Sequence, residues 1–135
     1  MSTLKSFIFD IHTIDDPRGC LSSIEASVDI PFEIKRIFYM HHVVTDRGGH
    51  AHIDTDQVII AMSGVVMVKL FDGNNAETYR LDNCTKGLYV PRLTFTDLYD
   101  FSNGAVCLVL ANTHYDMKKS LRNKQDYLTY LNNSR

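Results

Sequence analysis

Short apolar runs, separated by polar and turn-forming residues, recur along the chain: "SFIF", "CLSSIEASV", "EIKRIFYM", "DQVIIAM", "GVVMVKLF", "ETYRL", "GLYV", "TDLYDF" and "AVCLVLA". Most are too short for helices, and many are rich in Val, Ile, Phe or Tyr, which favour strands. In "FDGNNAE" the Asp-Gly and Asn-Asn pairs suit a hairpin turn between two of them. About nine short strands at regular spacing predict an all-β antiparallel sandwich or barrel. Only the end reads differently. In "YDMKKSLRNKQDYLTYL", Leu121, Tyr127, Leu128 and Leu131 share a helical face and Asp116 is placed to cap it. This predicts a helical tail over about residues 116–131. No linker, internal repeat or low-complexity stretch interrupts the pattern, so residues 1–135 read as a single domain.

Composition narrows the function classes. A length of 135 residues, 44% hydrophobic and 22% charged, suits a globular protein with a sizeable core. The formal charge of −2 lacks the basic excess that a nucleic-acid partner would require. Cys20, Cys84 and Cys107 are odd in number and show no CxxC spacing, which fits reduced thiols in the cytoplasm better than a disulfide scaffold or a zinc site. The start, "MSTLKSFIFD", has no signal-peptide core, and no apolar run is long enough to span a membrane.

The chemistry concentrates in "RGGHAH", residues 47–52. In a strand, residues two apart point to one face, so His50 and His52 project together. Gly48 and Gly49 mark a turn or a close backbone approach. Alternation along the next strand puts Gln57, Ile59 and Ala61 on one face and Val58, Ile60 and Met62 on the other, with Gln57 facing the same cavity as the histidines. Three readings are open: metal ligands, acid–base groups, or imidazoles that fill a barrel. The spacing HxH-x4-Q-x6-G resembles the first motif of the cupins, small jelly-roll barrels, with Gln where metal cupins usually carry Glu. The stretch corresponding to the second cupin motif, "GLYVPRLTFTDLYDFSNG", keeps Gly87 and Pro91 but has no histidine. Zinc or iron would want a third strong donor, which the Gln57 amide is not.

Taken together, "PFEIKRIFYMHHV", "RGGHAH", "DQVIIAMSGVVMVKLFDG", "LYVP" and "LYDFSNGAVCLVLANTHYD" resemble the sugar-nucleotide 3,4-ketoisomerases, metal-independent cupins that act on dTDP-4-keto-6-deoxyglucose. The similarity runs over nearly the whole chain. The related 3,5-epimerases carry RGLHxQ at the same place with the histidine as base, which aligns His50 with that base. Their acidic-x-Arg-Gly loop, whose arginine meets the nucleotide diphosphate, matches Asp16-Pro17-Arg18-Gly19. The chain departs from the ketoisomerase pattern at Phe95-Thr96, where tryptophan is usual, and at Tyr115-Asp116-Met117, where YDE is common.

The resemblance implies a jelly-roll cupin with a short C-terminal helix, acting as a homodimer that exchanges an N-terminal strand, without metal or other cofactor. Its substrate would be a dTDP-linked keto sugar. Moving a carbonyl from C4 to C3 needs a base near neutral pKa, which histidine supplies, and donors aimed at the oxyanion of an enediolate. His50 is then the C3 base and His52 the partner of the sugar oxygens. Tyr39 is a further donor, and Arg47, Arg18, Arg36 and Gln57 bind substrate, the arginines at the diphosphate. Arg36 and Tyr39 have opposite parity in "EIKRIFY", so both cannot face the cavity in a regular strand. His41 and His42 read as structural or rim residues. A 3,5-epimerase on the same substrate and a non-catalytic sugar-nucleotide-binding cupin are the rival readings.

Overall fold

The structure, a computed structural model, describes residues 5–134. Twelve strands are present among them: β1 (Phe7–Asp10), β2 (His12–Asp16), β3 (Gly19–Ser23), β4 (Arg36–Met40), β5 (Arg47–His52), β6 (Gln57–Ser63), β7 (Val66–Phe71), β8 (Ala76–Leu81), β9 (Lys86–Val90), β10 (Phe95–Tyr99), β11 (Val106–Ala111) and β12 (Ser120–Leu121). A single α-helix, α1 (Lys124–Asn133), closes the chain. One five-stranded sheet has the order β1-β9-β6-β11-β4 and the other β12-β5-β10-β7-β8, with β2–β3 forming a separate hairpin. The pairings between named strands are all antiparallel.

Alternation along the strands divides the apolar residues into two cores. Ile59 and Ala61 of β6 point between the sheets, where they meet Val66, Val68, Leu70, Leu98 and Val109. Val58 and Ile60, one step out of phase, point to the outer face and are covered by Ile11, Ile30 and Phe32 from the N-terminal segment. This is the split predicted from parity. The "FDGNNAE" turn also forms as expected: the Asp72 carboxylate accepts from the backbone N–H of Asn74 and Asn75 at 2.9 and 2.7 Å.

The tail departs from its prediction. Asp116 does cap, but it caps a short 3-10 turn at Met117–Lys119, and α1 starts at Lys124 with Asn123 as its N-cap. Between them, β12 pairs with β5 (Ser120 opposite His52, Leu121 opposite Ala51). A ladder contact with β5 thus splits what helical periodicity joined. Tyr127 is buried against Ala51 and Phe95, and its hydroxyl donates to the carbonyls of Phe71 and Leu93 at 3.1 and 2.6 Å. The helix is thereby fixed to the outer face of the strand that carries the histidines. Leu128, expected on the buried face, is partly exposed, at 38%. The hairpin partner β2 had no apolar run to announce it.

The glycines of "RGGHAH" have a specific function in the fold. Thr96 of β10 lies opposite His50, but Asp97 lies opposite Gly48 and Leu98 opposite Arg47. Gly49 is therefore an extra residue, a β-bulge, and both glycines have positive φ, 90° and 71°. A Cβ on Gly48 would come within 2.7 Å of the Thr96 carbonyl oxygen. Gly48→Ala therefore meets both a backbone clash and a conformation L-residues avoid. It should destabilise the fold by at least about 2 kcal/mol in urea unfolding. An unchanged midpoint would mean that the bulge is not tightly specified.

Candidate active site

The bulge decides which side chains reach the interior. Residues directly opposite across an antiparallel ladder share a face. Thr96 and Leu98 both point between the sheets, so their partners His50 and Arg47 do too, although they are three residues apart. Without the extra residue at Gly49, Arg47 would face away from the histidines. His52 follows His50 by ordinary alternation. One short strand thus delivers a cation and two imidazoles to a single cavity of about 180 Å3.

Ile59, Leu98 and Val109 from three strands form the apolar floor of this cavity, and Phe38 and Met40 of β4 form its side. The polar groups at its wall are His50, His52, Gln57, Thr96 and Arg47. Gln57 is only 7% exposed, so its amide is directed at the cavity and not at solvent. The volume is below the roughly 300–1,000 Å3 of pockets that enclose a whole drug-sized ligand. A cavity this size takes a ring-sized part of a ligand and leaves the remainder at the mouth, where Arg47 is exposed.

The two imidazoles are edge to face, with ring centroids 5.0 Å apart and an interplanar angle of 86°. His52 is the more deeply set. Burial, reinforced by the neighbouring His50 and by the positive charge of Arg36, lowers its pKa from 6.5 to about 4. At neutral pH His52 is an uncharged ring with one donor and one acceptor nitrogen. Its Nδ1 lies 3.4 Å from the Ser120 hydroxyl, and its carbonyl accepts from the Leu93 N–H at 2.8 Å.

β4 resolves the parity conflict between Arg36 and Tyr39. Arg36, Phe38 and Met40 face inward, while Ile37 and Tyr39 face out. Tyr39 borders the cavity along its strand, but its side chain is 62% exposed and its ring lies against His41. Tyr39 thus lies at the border of the cavity, and Phe38, which has no hydroxyl, is the aromatic side chain of β4 on the inward face. The Arg36 guanidinium lies over the rings of Phe38 and Tyr115, 5.0 and 5.4 Å from their centroids. Its Nε is buried and makes no hydrogen bond among the described residues. Arg18 is not brought to the cavity of its own chain. It sits at the tip of the β2–β3 hairpin, 90% exposed, with its guanidinium and backbone N–H on the Asp16 carboxylate.

Several residues at the site gave no sequence signal. Asp56 ties three loops together: its carboxylate accepts from the backbone and guanidinium of Arg92 and from the Asn112 amide, and its N–H donates to the Asn112 side-chain oxygen at 2.8 Å. This knot lies immediately before Gln57 in the chain and ties the start of β6 to the segments that follow β9 and β11. Ser120 was read as part of a helix. Only the pairing of Asp56 with a distant Arg and Asn in three dimensions shows what that carboxylate does.

Among the described residues no group of three or more His, Cys, Asp or Glu is arranged to hold a metal ion, and the donor beside the histidines is the Gln57 amide. Such a donor set fits zinc or iron poorly.

Comparison with known proteins decides the family. The family profile described as "FdtA: WxcM-like, C-terminal" matches residues 4–132. The TDP-4-oxo-6-deoxy-α-D-glucose-3,4-oxoisomerase of Aneurinibacillus thermoaerophilus is 34% identical over 130 residues, covering 95% of this chain and 94% of the relative. The chain belongs to the sugar-nucleotide 3,4-ketoisomerase family. Two solved structures of family members superpose closely. The 3,4-ketoisomerase from Helicobacter canadensis is 34% identical with a TM-score of 0.92, covering 96% of this chain and 98% of that one. A histidine-to-asparagine variant of the enzyme from Thermoanaerobacterium thermosaccharolyticum, in complex with TDP-4-keto-6-deoxyglucose, is 33% identical with a TM-score of 0.89, covering 93% and 92%.

The lowered pKa of His52 has a consequence for stability. Above about pH 6.5 the ring is neutral in both folded and unfolded chains. Between about 6.5 and 4 the unfolded chain takes up a proton that the folded chain does not, so stability falls as the pH falls. The loss should reach about 2 kcal/mol, allowing for partial solvent screening. Urea midpoints of the wild type should therefore drop more steeply from pH 7 to 4.5 than those of His52→Gln. Parallel curves would show that His52 titrates normally in the fold.

Proposed function

We propose that the protein moves the keto group of dTDP-4-keto-6-deoxyglucose from C4 to C3 through an enediolate. The observation that carries this reading is the pair of imidazoles on one wall of a ring-sized cavity with a cation at its mouth. The family supports it: relatives about one-third identical over nearly the whole chain carry out 3,4-ketoisomerisation. A 3,5-epimerase and a silent binding cupin are the weaker readings.

In this reading His50 removes the C3 proton, which the adjacent ketone acidifies. The C–H electrons become the C3–C4 double bond, and the carbonyl electrons move onto O4. His50 then returns a proton to C4, while O3 loses its proton and becomes the new carbonyl. His52, neutral through burial, serves the two oxygens, and the Gln57 amide holds a hydroxyl. Every step is a proton transfer that imidazole can perform, and we assign no cofactor. Arg47 at the mouth and Arg36, whose buried Nε lacks a partner, take the diphosphate.

We read the whole chain as one cupin unit that forms a homodimer by exchanging its N-terminal strand. What supports this is the N-terminal arm itself. In the lone chain β1 pairs with its own β9, yet Phe7, Ile8, Ile14 and Leu21 are exposed. An exchanged arm would cover these side chains and carry Arg18 of one subunit to the cavity of the other. We place the enzyme in the cytoplasm, where its free cysteines, two of them exposed, would stay reduced. A 3-keto sugar is the substrate that amino transfer at C3 requires. We read the reaction as a step in deoxyaminosugar synthesis of the kind that supplies lipopolysaccharide O-antigen.

Replacing His50 by Asn keeps a polar side chain and removes the base. Turnover of dTDP-4-keto-6-deoxyglucose should fall at least about a hundredfold, while the variant remains folded and binds dTDP. Near-native turnover by a folded, dTDP-binding His50→Asn protein would mean that the imidazole fills space only.

A further inference from the structure

An uncharged imidazole has two forms with opposite chemistry. With the proton on Nε2 it donates from that nitrogen, and with the proton on Nδ1 its Nε2 accepts. What the other nitrogen touches selects the form. The Nδ1 of His52 faces Ser120 on β12, the residue directly opposite it in the ladder, with Oγ 3.4 Å away. Among the described residues the Ser120 hydroxyl has no other side-chain or backbone acceptor, so its proton finds a partner within the protein only by donating to that nitrogen; as an acceptor from Nδ1–H it would leave its own O–H unpaired. β12 itself is held firmly. Ile53 N–H donates to the Lys119 carbonyl at 2.9 Å, and Leu121, on the opposite face from Ser120, packs beside Ala51 and Tyr127. The imidazole edge carrying Nε2 is then left for the cavity that His52 lines.

We propose that Ser120 is a positioning residue that holds His52 in the Nε2–H form, so that His52 meets the sugar oxygens as a neutral donor. The proposal rests on the ketoisomerase reading and gives His52 a specific task within it. As the C4 carbonyl electrons move onto O4, Nε2 donates its proton to O4. As the C3 carbonyl forms, the proton leaving O3 returns to Nε2. The two transfers balance, and the ring begins and ends neutral. Neutral imidazole performs this electrophilic role in other enzymes that form enediolates. A His52 locked in the opposite form would offer a lone pair to O4 and repel the developing charge.

The tautomer can be read directly in the free enzyme from long-range proton–nitrogen correlations of 15N-histidine-labelled protein at neutral pH, with His52→Gln identifying the signals. Wild type should show a protonated Nε2 and an unprotonated, hydrogen-bonded Nδ1. Ser120→Ala should shift His52 toward the other tautomer and lower kcat about tenfold with KM little changed, the size of effect seen when a ligand-orienting hydrogen bond is removed. Ser120→Thr, which keeps the hydroxyl, should restore both. A protonated Nδ1 in wild type, or a Ser120→Ala enzyme with unchanged tautomer and kcat, would overturn the proposal. Absence of isomerase activity in wild type would count against the functional reading alone, because the tautomer is measured without turnover.

Discussion

The site depends on one extra residue in one strand. A regular β5 would put Arg47 and the histidines on opposite faces, and no loop or helix elsewhere could repair that. Gly49 inserts into the ladder, and Gly48 allows the backbone to pass within contact distance of Thr96, so the parity changes between Arg47 and His50. The result is a candidate catalytic set mounted on a strand that is hydrogen-bonded on both edges, by β10 and by β12. Such a mount is stiffer than a loop and suits a reaction in which small proton movements must be aligned. The helix α1 adds to the stiffness from behind, because Tyr127 packs on Ala51, the residue between the two histidines.

The same strand gives its two imidazoles different surroundings. His52 lies deeper, near Arg36, and stays neutral to well below physiological pH. His50 lies nearer the mouth, opposite Thr96. A pair of identical side chains can thus divide base and donor roles through position alone, as pairs of titratable groups in contrasting environments do in other active sites. The apolar floor of Ile59, Leu98 and Val109 lowers the local dielectric and strengthens each polar contact made there.

Much of this was legible in the sequence, for identifiable reasons. Strand alternation is strict, so the division of β6 into Gln57/Ile59/Ala61 and Val58/Ile60 followed from spacing. The common face of His50 and His52 followed in the same way. The β4 conflict was visible as a parity rule, but which of Arg36 and Tyr39 turned inward depended on the register with β11, a non-local quantity. The tail was misread because Ser120 and Leu121 form a strand too short to show a period, and the apolar residues around them happen to fit a helix. The Asp56–Arg92–Asn112 knot joins residues far apart in the chain, each of which looks like an ordinary loop residue by itself. Gly48 and Gly49 announced a backbone peculiarity without saying which parity it would produce.

In the proposed reaction these histidines shift a carbonyl by one carbon and leave the rest of the sugar untouched. Proton NMR of the product formed from dTDP-4-keto-6-deoxyglucose in deuterated water addresses this most directly. The expected product is a 3-keto-6-deoxy sugar nucleotide, with the H3 signal lost, a hydroxyl-bearing carbon at C4 and an undisturbed, undeuterated C5. Recovery of a 4-keto sugar with deuterium at C3 and C5 would show an epimerase, and recovery of unchanged substrate would show a binding protein. Either outcome would contradict the proposed reaction.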